Sequence, residues 1–215
     1  MRIESDGSSA KKVKVASLCF MGLAHIIYLK QYVKGALFAA LEVLFLAFLP
    51  ATCRKIFDLI TLGEPQPDIP VKFRNNSMFM LIDGILILSI VALFVVAYVI
   101  SVRSAKNSYE EYCRTKRFVS QKSSLAEVGN KAFPITGLAP CVVMLLVFVV
   151  VPLLFSVAVA FTNYSAPNNL PPKNTVDWVG FQNFKALLFG GTNWSAGFAR
   201  VAIWTFVWAV ASTFT

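Results

Sequence analysis

The chain has 215 residues, of which 57% are hydrophobic and only 14% charged, and its mean hydropathy is +0.65. A soluble domain of this size cannot bury so much apolar side chain, so a soluble globular enzyme, a disordered chain and a disulfide scaffold are excluded and part of the solvent must be lipid. The net charge is +9, from 20 Lys and Arg against 11 Asp and Glu; because these cations lie between long apolar runs, they suit an anionic membrane surface better than nucleic acid.

Residues 1–14 are polar and basic, with Arg2, Lys11, Lys12 and Lys14. The apolar stretch Val15–Leu29 follows, and Lys30-Gln31-Tyr32 comes where a signal peptide would show a small-residue cleavage site. At about 1.5 Å per residue this stretch reaches only about 22 Å, short of the ~30 Å hydrocarbon core. Gly22 and His25 interrupt it further, so residues 1–34 are expected to form a basic N-terminus and an interfacial or re-entrant helix. From Gly22 to Gly35 the spacing suggests a helix, a tight turn and a second helix, with Tyr28, Tyr32, Lys30 and Lys34 suited to the headgroup layer.

Gly35–Cys53 is long enough to span and carries one charge, Glu42. Arg54–Ser77 is predicted to be a loop, since Pro65, Pro67 and Pro70 oppose regular structure. Met78–Val102 is a span with Asp83 near its start, so that residues 35–132 hold two transmembrane helices and the polar loop Arg103–Phe133. Gly137–Phe161 has no charge and is the clearest span; after the polar stretch Thr162–Gly197, the apolar run Phe198–Thr215 begins a fourth. That run has no polar flank, so the chain is expected to be the N-terminal piece of a longer polypeptide.

Orientation follows from Lys and Arg in the loops. The 103–133 loop has seven and the first 34 residues six, against four in 54–77 and two in 162–197. This places the N-terminus and the 103–133 loop in the cytoplasm, provided that Val15–Leu29 does not cross.

The sequence holds no phosphate-binding glycine motif, HExxH, GxSxG or paired-carboxylate pattern, and Cys19, Cys53, Cys113 and Cys141 lie far apart. No cofactor, metal or catalytic residue is therefore expected. Glu42, within a span, is either a functional carboxylate or one that faces the bundle interior, neutral or paired with a nearby Lys or His. Asp83 is expected to be a hydrated end residue, and His25 an interfacial polar group rather than a proton relay.

The most specific pattern begins at Phe133-Pro134 and continues through Val151-Pro152-Leu153 with Ser156 four residues later. Phe161-Thr162-Asn163-Tyr164-Ser165 closes the span, and Trp178-Val179-Gly180-Phe181-Gln182-Asn183-Phe184 follows. Pro152 in mid-span removes a backbone donor and leaves the Phe148 carbonyl four residues back without its partner. Pro152 and Ser156 would mark a face turned toward protein. Phe161 and Tyr164 would anchor the outer end, Asn163 would cap or turn the chain, and Trp178 to Phe184 have the spacing of a short amphipathic helix.

In this order and spacing, these pieces resemble the permease subunits of carbohydrate ABC importers, most nearly the maltose-type, MalF-like family. The resemblance covers residues 133–215 and is weaker over 1–132. It implies an all-α integral membrane protein, a multi-span bundle of the binding-protein-dependent importer type, in which 133–215 begin the permease domain. It also implies a bacterial inner-membrane subunit that forms part of a sugar translocation pathway. Its partners would be a second permease, two ATP-binding cassette ATPase subunits and an extracellular sugar-binding protein; hydrolysis would belong to the ATPase. The family's Glu-Ala-Ala…Gly coupling loop is not found in these 215 residues and, with most sugar-contacting positions, is expected downstream; no substrate-binding residue is carried over. The structural and mechanistic candidates are Pro152, Ser156, Phe161, Thr162, Asn163, Tyr164, Trp178, Gly180, Phe184 and Glu42. The alternatives are a membrane-embedded assembly or regulatory protein without transport activity and, below it, an integral membrane enzyme.

Overall fold

In hydrocarbon every backbone N–H and C=O must find a partner within the protein, which long apolar segments achieve by forming helices. A computed structural model describes residues 7–117, 133–190 and 193–214. In chain order come α1 (Gly7–Cys19), α2 (Leu23–Ile27), α3 (Tyr32–Thr61), α4 (Ser77–Thr115), α5 (Phe133–Leu145), α6 (Val151–Ala160), α7 (Gln182–Phe189) and α8 (Asn193–Phe214). A π-helical turn, Leu146–Val150, joins α5 to α6, and a 3-10 turn occupies Val71–Phe73. Among the described residues no β-strand occurs, only two isolated bridges, Thr162 with Trp178 and Ser165 with Asn169. Among the described residues, four stretches are long and apolar enough to cross a membrane: Tyr32–Thr61, Val71–Thr115, Pro140–Ala160 and Ser195–Phe214. The protein is thus an all-α, multi-span membrane protein. Arg2, Lys122, Lys131 and residues 118–132 of the 103–133 loop lie outside the described residues.

Two helices run further than the sequence pattern suggests. α3 contains Pro50, passes Cys53 and ends only at Thr61, so the first part of the expected Arg54–Ser77 loop is helical. It stops where Leu62 and Gly63 take φ of 53° and 83°; the later prolines act on a chain that has already left the helix. α4 likewise passes Val102 to Thr115, through residues expected in the 103–133 loop. That segment contains no Gly or Pro, and Lys106 and Glu110 pair across one turn at 3.6 Å.

The chain divides into two compact units, each discontinuous in sequence: residues 1–57 with 84–151, and 58–83 with 152–215. In the first unit, Val13, Ala24, Leu29, Ala105 and Tyr109 form a small buried cluster, and Phe45 stacks on Phe94 with ring centroids 3.8 Å apart. The stretch expected as one helical segment from Val15 to Leu29 is two helices, broken at Phe20–Gly22. Gly22 takes φ of 82°, and a Cβ there would lie 2.1 Å from the Gly35 carbonyl oxygen. Only glycine tolerates both conditions, so the break sits where two backbones touch.

In the second unit, the 58–83 segment and the 162–181 loop are tied together. The Ser77 hydroxyl donates to the Leu62 carbonyl at 2.6 Å and accepts from the Val176 amide at 3.2 Å. Arg74 donates to the carbonyls of Ile69, Pro67 and Lys173 at 2.7, 2.9 and 2.9 Å. The Trp178 indole donates to the Leu59 carbonyl at 3.1 Å. The outward faces of the spans are apolar, with Phe148, Phe206 and Trp204 all more than 60% exposed; such surface is at rest against acyl chains or other apolar helices, not water.

Candidate functional site

A helix end leaves its last carbonyls without intrahelical donors. At the end of α6 the residues of the Phe-Thr-Asn-Tyr and Trp-Val-Gly-Phe-Gln-Asn-Phe elements supply them. The Asn183 side-chain amide donates to the carbonyls of Ala160 and Thr162 at 2.9 and 2.7 Å. The amides of Val179 and Gly180 both donate to the Phe161 carbonyl, at 2.8 and 3.1 Å. Gly180 takes φ of 58°, the left-handed region that favours glycine. Asn163 turns the chain by pairing with Asp177: its side-chain oxygen accepts the Asp177 amide at 2.8 Å, and its own amide donates to the Asp177 carbonyl at 3.1 Å. Phe161, Phe181 and Phe184 pack together over the corner, with ring centroids 5.2–5.9 Å apart.

The corner brings together Phe161, Thr162, Asn163, Trp178, Gly180 and Phe184. Thr162 is buried, whereas Tyr164 is 45% exposed. The short amphipathic helix expected over 178–184 is not there; residues 178–181 form the turn and α7 starts at Gln182. Asn183 was not singled out from the sequence, though its place inside the aromatic repeat was the signal. Arg74 and Ser77 were missed because their partners lie 99 residues away.

Pro152 and Ser156 lie further along the same helix. The π turn precedes Pro152, and the Val151 amide closes it on the Leu146 carbonyl. A wider turn makes room for a ring that would clash in a regular α-helix. Ser156 donates to the Pro152 carbonyl at 2.9 Å, within its own helix. Both residues are exposed among the described residues.

Glu42 is 9% exposed, and its carboxylate accepts the amide of Met21. That partner is a backbone N–H freed by the break between α1 and α2. His25, expected at an interface, is fully buried; its Nε2 is 3.1 Å from the Ser104 hydroxyl and its ring faces Phe38. His25 lies outside the four spans, and burial, with Lys34 adding to it, pulls its pKa down to about 4. The imidazole is therefore neutral at pH 7. Asp83 is half-buried. Among the described residues no group of three His, Cys, Asp or Glu is placed to hold a metal ion, and all four cysteines are free thiols.

Over most of its length the chain is similar to sugar-transport permeases. It is 33% identical over 187 residues to the galactooligosaccharides transport system permease protein GanP of Bacillus subtilis, an alignment covering 86% of this chain and 43% of that protein. To the maltodextrin transport system permease protein MdxF of the same organism it is 31% identical over 186 residues, 86% of this chain and 41% of the relative. To the maltodextrin transport system permease protein MalC of Streptococcus pneumoniae it is 32% identical over 194 residues, 87% and 42%. The chain thus spans less than half the length of the curated relatives it matches. No protein-family model and no solved structure matches it.

Proposed function

We propose that this chain is the N-terminal part of a membrane-spanning permease subunit in an ATP-driven sugar importer of the bacterial plasma membrane. The observation that carries the reading is the similarity to three sugar-transport permeases across about 86% of the chain. Four membrane-length helices agree with it. Within that group we favour the maltose-type, MalF-like arrangement, with a second permease, two ATPase subunits and an extracellular sugar-binding protein as partners. The substrate would be an oligosaccharide of the maltodextrin or galactooligosaccharide class, as the names of the relatives indicate. The N-terminus and the 103–133 loop would be cytoplasmic and the α6–α7 corner extracellular. In this arrangement the corner is a structural closure of the third span, and Pro152 and Ser156 lie on a face open to a neighbouring helix.

Deleting the gene and measuring uptake of labelled maltotriose and of a labelled galactotriose tests the reading. Loss of uptake of one sugar, restored by the intact gene and accompanied by co-purification of an ATPase with the tagged chain, is expected. Unchanged uptake of both sugars, with no ATPase recovered, would refute it.

A further inference from the structure

We propose that residues 7–31 insert as a hairpin into one leaflet only, the leaflet at which α3 starts, and that Lys11, Lys12 and Lys14 dock there on anionic lipid headgroups. The depth of the hairpin is set by contacts within the first unit. Gln31 bonds Ser108 at 3.3 Å, His25 bonds Ser104, and the Tyr98 hydroxyl donates to the Leu18 carbonyl. Along α4, the uncharged run ends at Arg103, next to Ser104. At about 1.5 Å per residue, Gln31 lies level with a point about 7 Å outside that boundary and Leu18 about 7 Å inside it. α3 gives an independent measure. Its uncharged run starts at Gly35, and Glu42, which holds the Met21 amide, lies about 10 Å further in. Both helices place the tip, from Leu18 to Met21, well short of the ~15 Å thickness of one hydrocarbon leaflet. Both arms therefore emerge on the side from which they enter.

The two faces of α1 agree with this placement. Val13 and Ser17 are buried against protein, whereas Val15, Leu18 and Cys19 at the deep end are exposed. Lys11, Lys12 and Lys14 are exposed at the shallow end. Apolar side chains toward the tip and ammonium groups toward the mouth match the acyl chains and phosphates of a lipid leaflet in that order. Irregular backbone is tolerated in hydrocarbon only where protein covers it. The break meets that condition, since Met21 and Gly22 are buried and Glu42 accepts the free amide. Glu42 is thus a positioning residue for the hairpin.

The full-length protein in vesicles, with Cys19 as its sole cysteine, provides the test. In phosphatidylcholine–phosphatidylglycerol vesicles, Cys19 should react with a membrane-impermeant maleimide roughly tenfold slower than Lys11→Cys, being inside the hydrocarbon. Lys11→Cys and Tyr32→Cys should label from the same side. Labelling of these two from opposite sides, or equal reactivity of Cys19 and Lys11→Cys, would overturn the hairpin. A depth probe on Cys19 should lie shallower in phosphatidylcholine alone, and replacing the three lysines by Gln should abolish that difference. A depth that ignores lipid charge would overturn the headgroup contact. Glu42→Leu should make Cys19 reactive while Glu42→Gln, which keeps an acceptor, does not; equal protection in both variants would remove the role of Glu42. These readouts are reactivity and depth, so they stand apart from whether any sugar is carried.

Discussion

Asn183 is the residue on which the end of the third span depends. Its side-chain amide donates to two carbonyls there, those of Ala160 and Thr162. Asn183→Ala should lower the stability of the purified protein by about 0.5–1.5 kcal/mol, the net worth of a typical hydrogen bond. Thermal unfolding in detergent measures this, and Asn183→Asp should behave like Ala because a carboxylate has no proton to donate. His25 gives a pH dependence of definite sign. Its folded pKa of about 4 lies below the ordinary 6.5, so the unfolded chain binds a proton in that interval that the folded one does not. The stability it confers is complete above pH 6.5 and is lost as pH falls toward 4, by on the order of 3 kcal/mol. Comparing the unfolding temperatures of wild type and His25→Gln at pH 7.5 and 5 isolates the effect: the wild type should fall further. Sequence reasoning had found both a carboxylate in a span and a histidine near an interface. It could not name their partners, because a backbone amide and a serine hydroxyl leave no mark in composition.

At the scale of elements, the π turn and Pro152 act together. The sequence shows the proline and the orphan it creates at Phe148, but not how the chain accommodates it, since a widened turn costs no particular residue type. With the turn already closed by Leu146 and Val151, we propose the static kink over the other reading of Pro152, a bend that moves between inward- and outward-open states. Pro152→Ala should therefore change the yield of folded protein while uptake and ATP hydrolysis per assembled complex stay at wild-type values; a change in their ratio would instead mark a moving joint. The helix boundaries show the same limit. Apolar runs located the spans, whereas the extra turns of α3 to Thr61 mix apolar residues with Arg54, Lys55 and Asp58, and those of α4 to Thr115 are mostly polar, so neither announces a helix. At the corner, the aromatic spacing was visible, yet the decisive feature was a left-handed glycine that ends any helix before it starts.

For the whole molecule, charge in the loops sets orientation. Single cysteines at Ser120 and Asn169 should be labelled by an impermeant reagent in opposite ways in intact cells, position 169 reacting and position 120 silent; the reverse pattern would invert the topology. The interleaving of the two units also bears on the order of synthesis. Residues 58–83 leave the ribosome long before 152–215, the only part of their unit that gives them tertiary partners. Until Lys173, Val176 and Trp178 are made, the Leu59 carbonyl lacks its indole donor and Arg74 has only its local carbonyls. The early segment is thus a waiting half, closed by an event about 100 residues later, with the loop-closure entropy that such a separation entails. A nascent chain arrested with residue 160 as its last folded residue should be cut quickly by trypsin after Arg74. One extended to residue 190 should resist, because the arginine has by then become the latch across which two distant stretches of chain are joined.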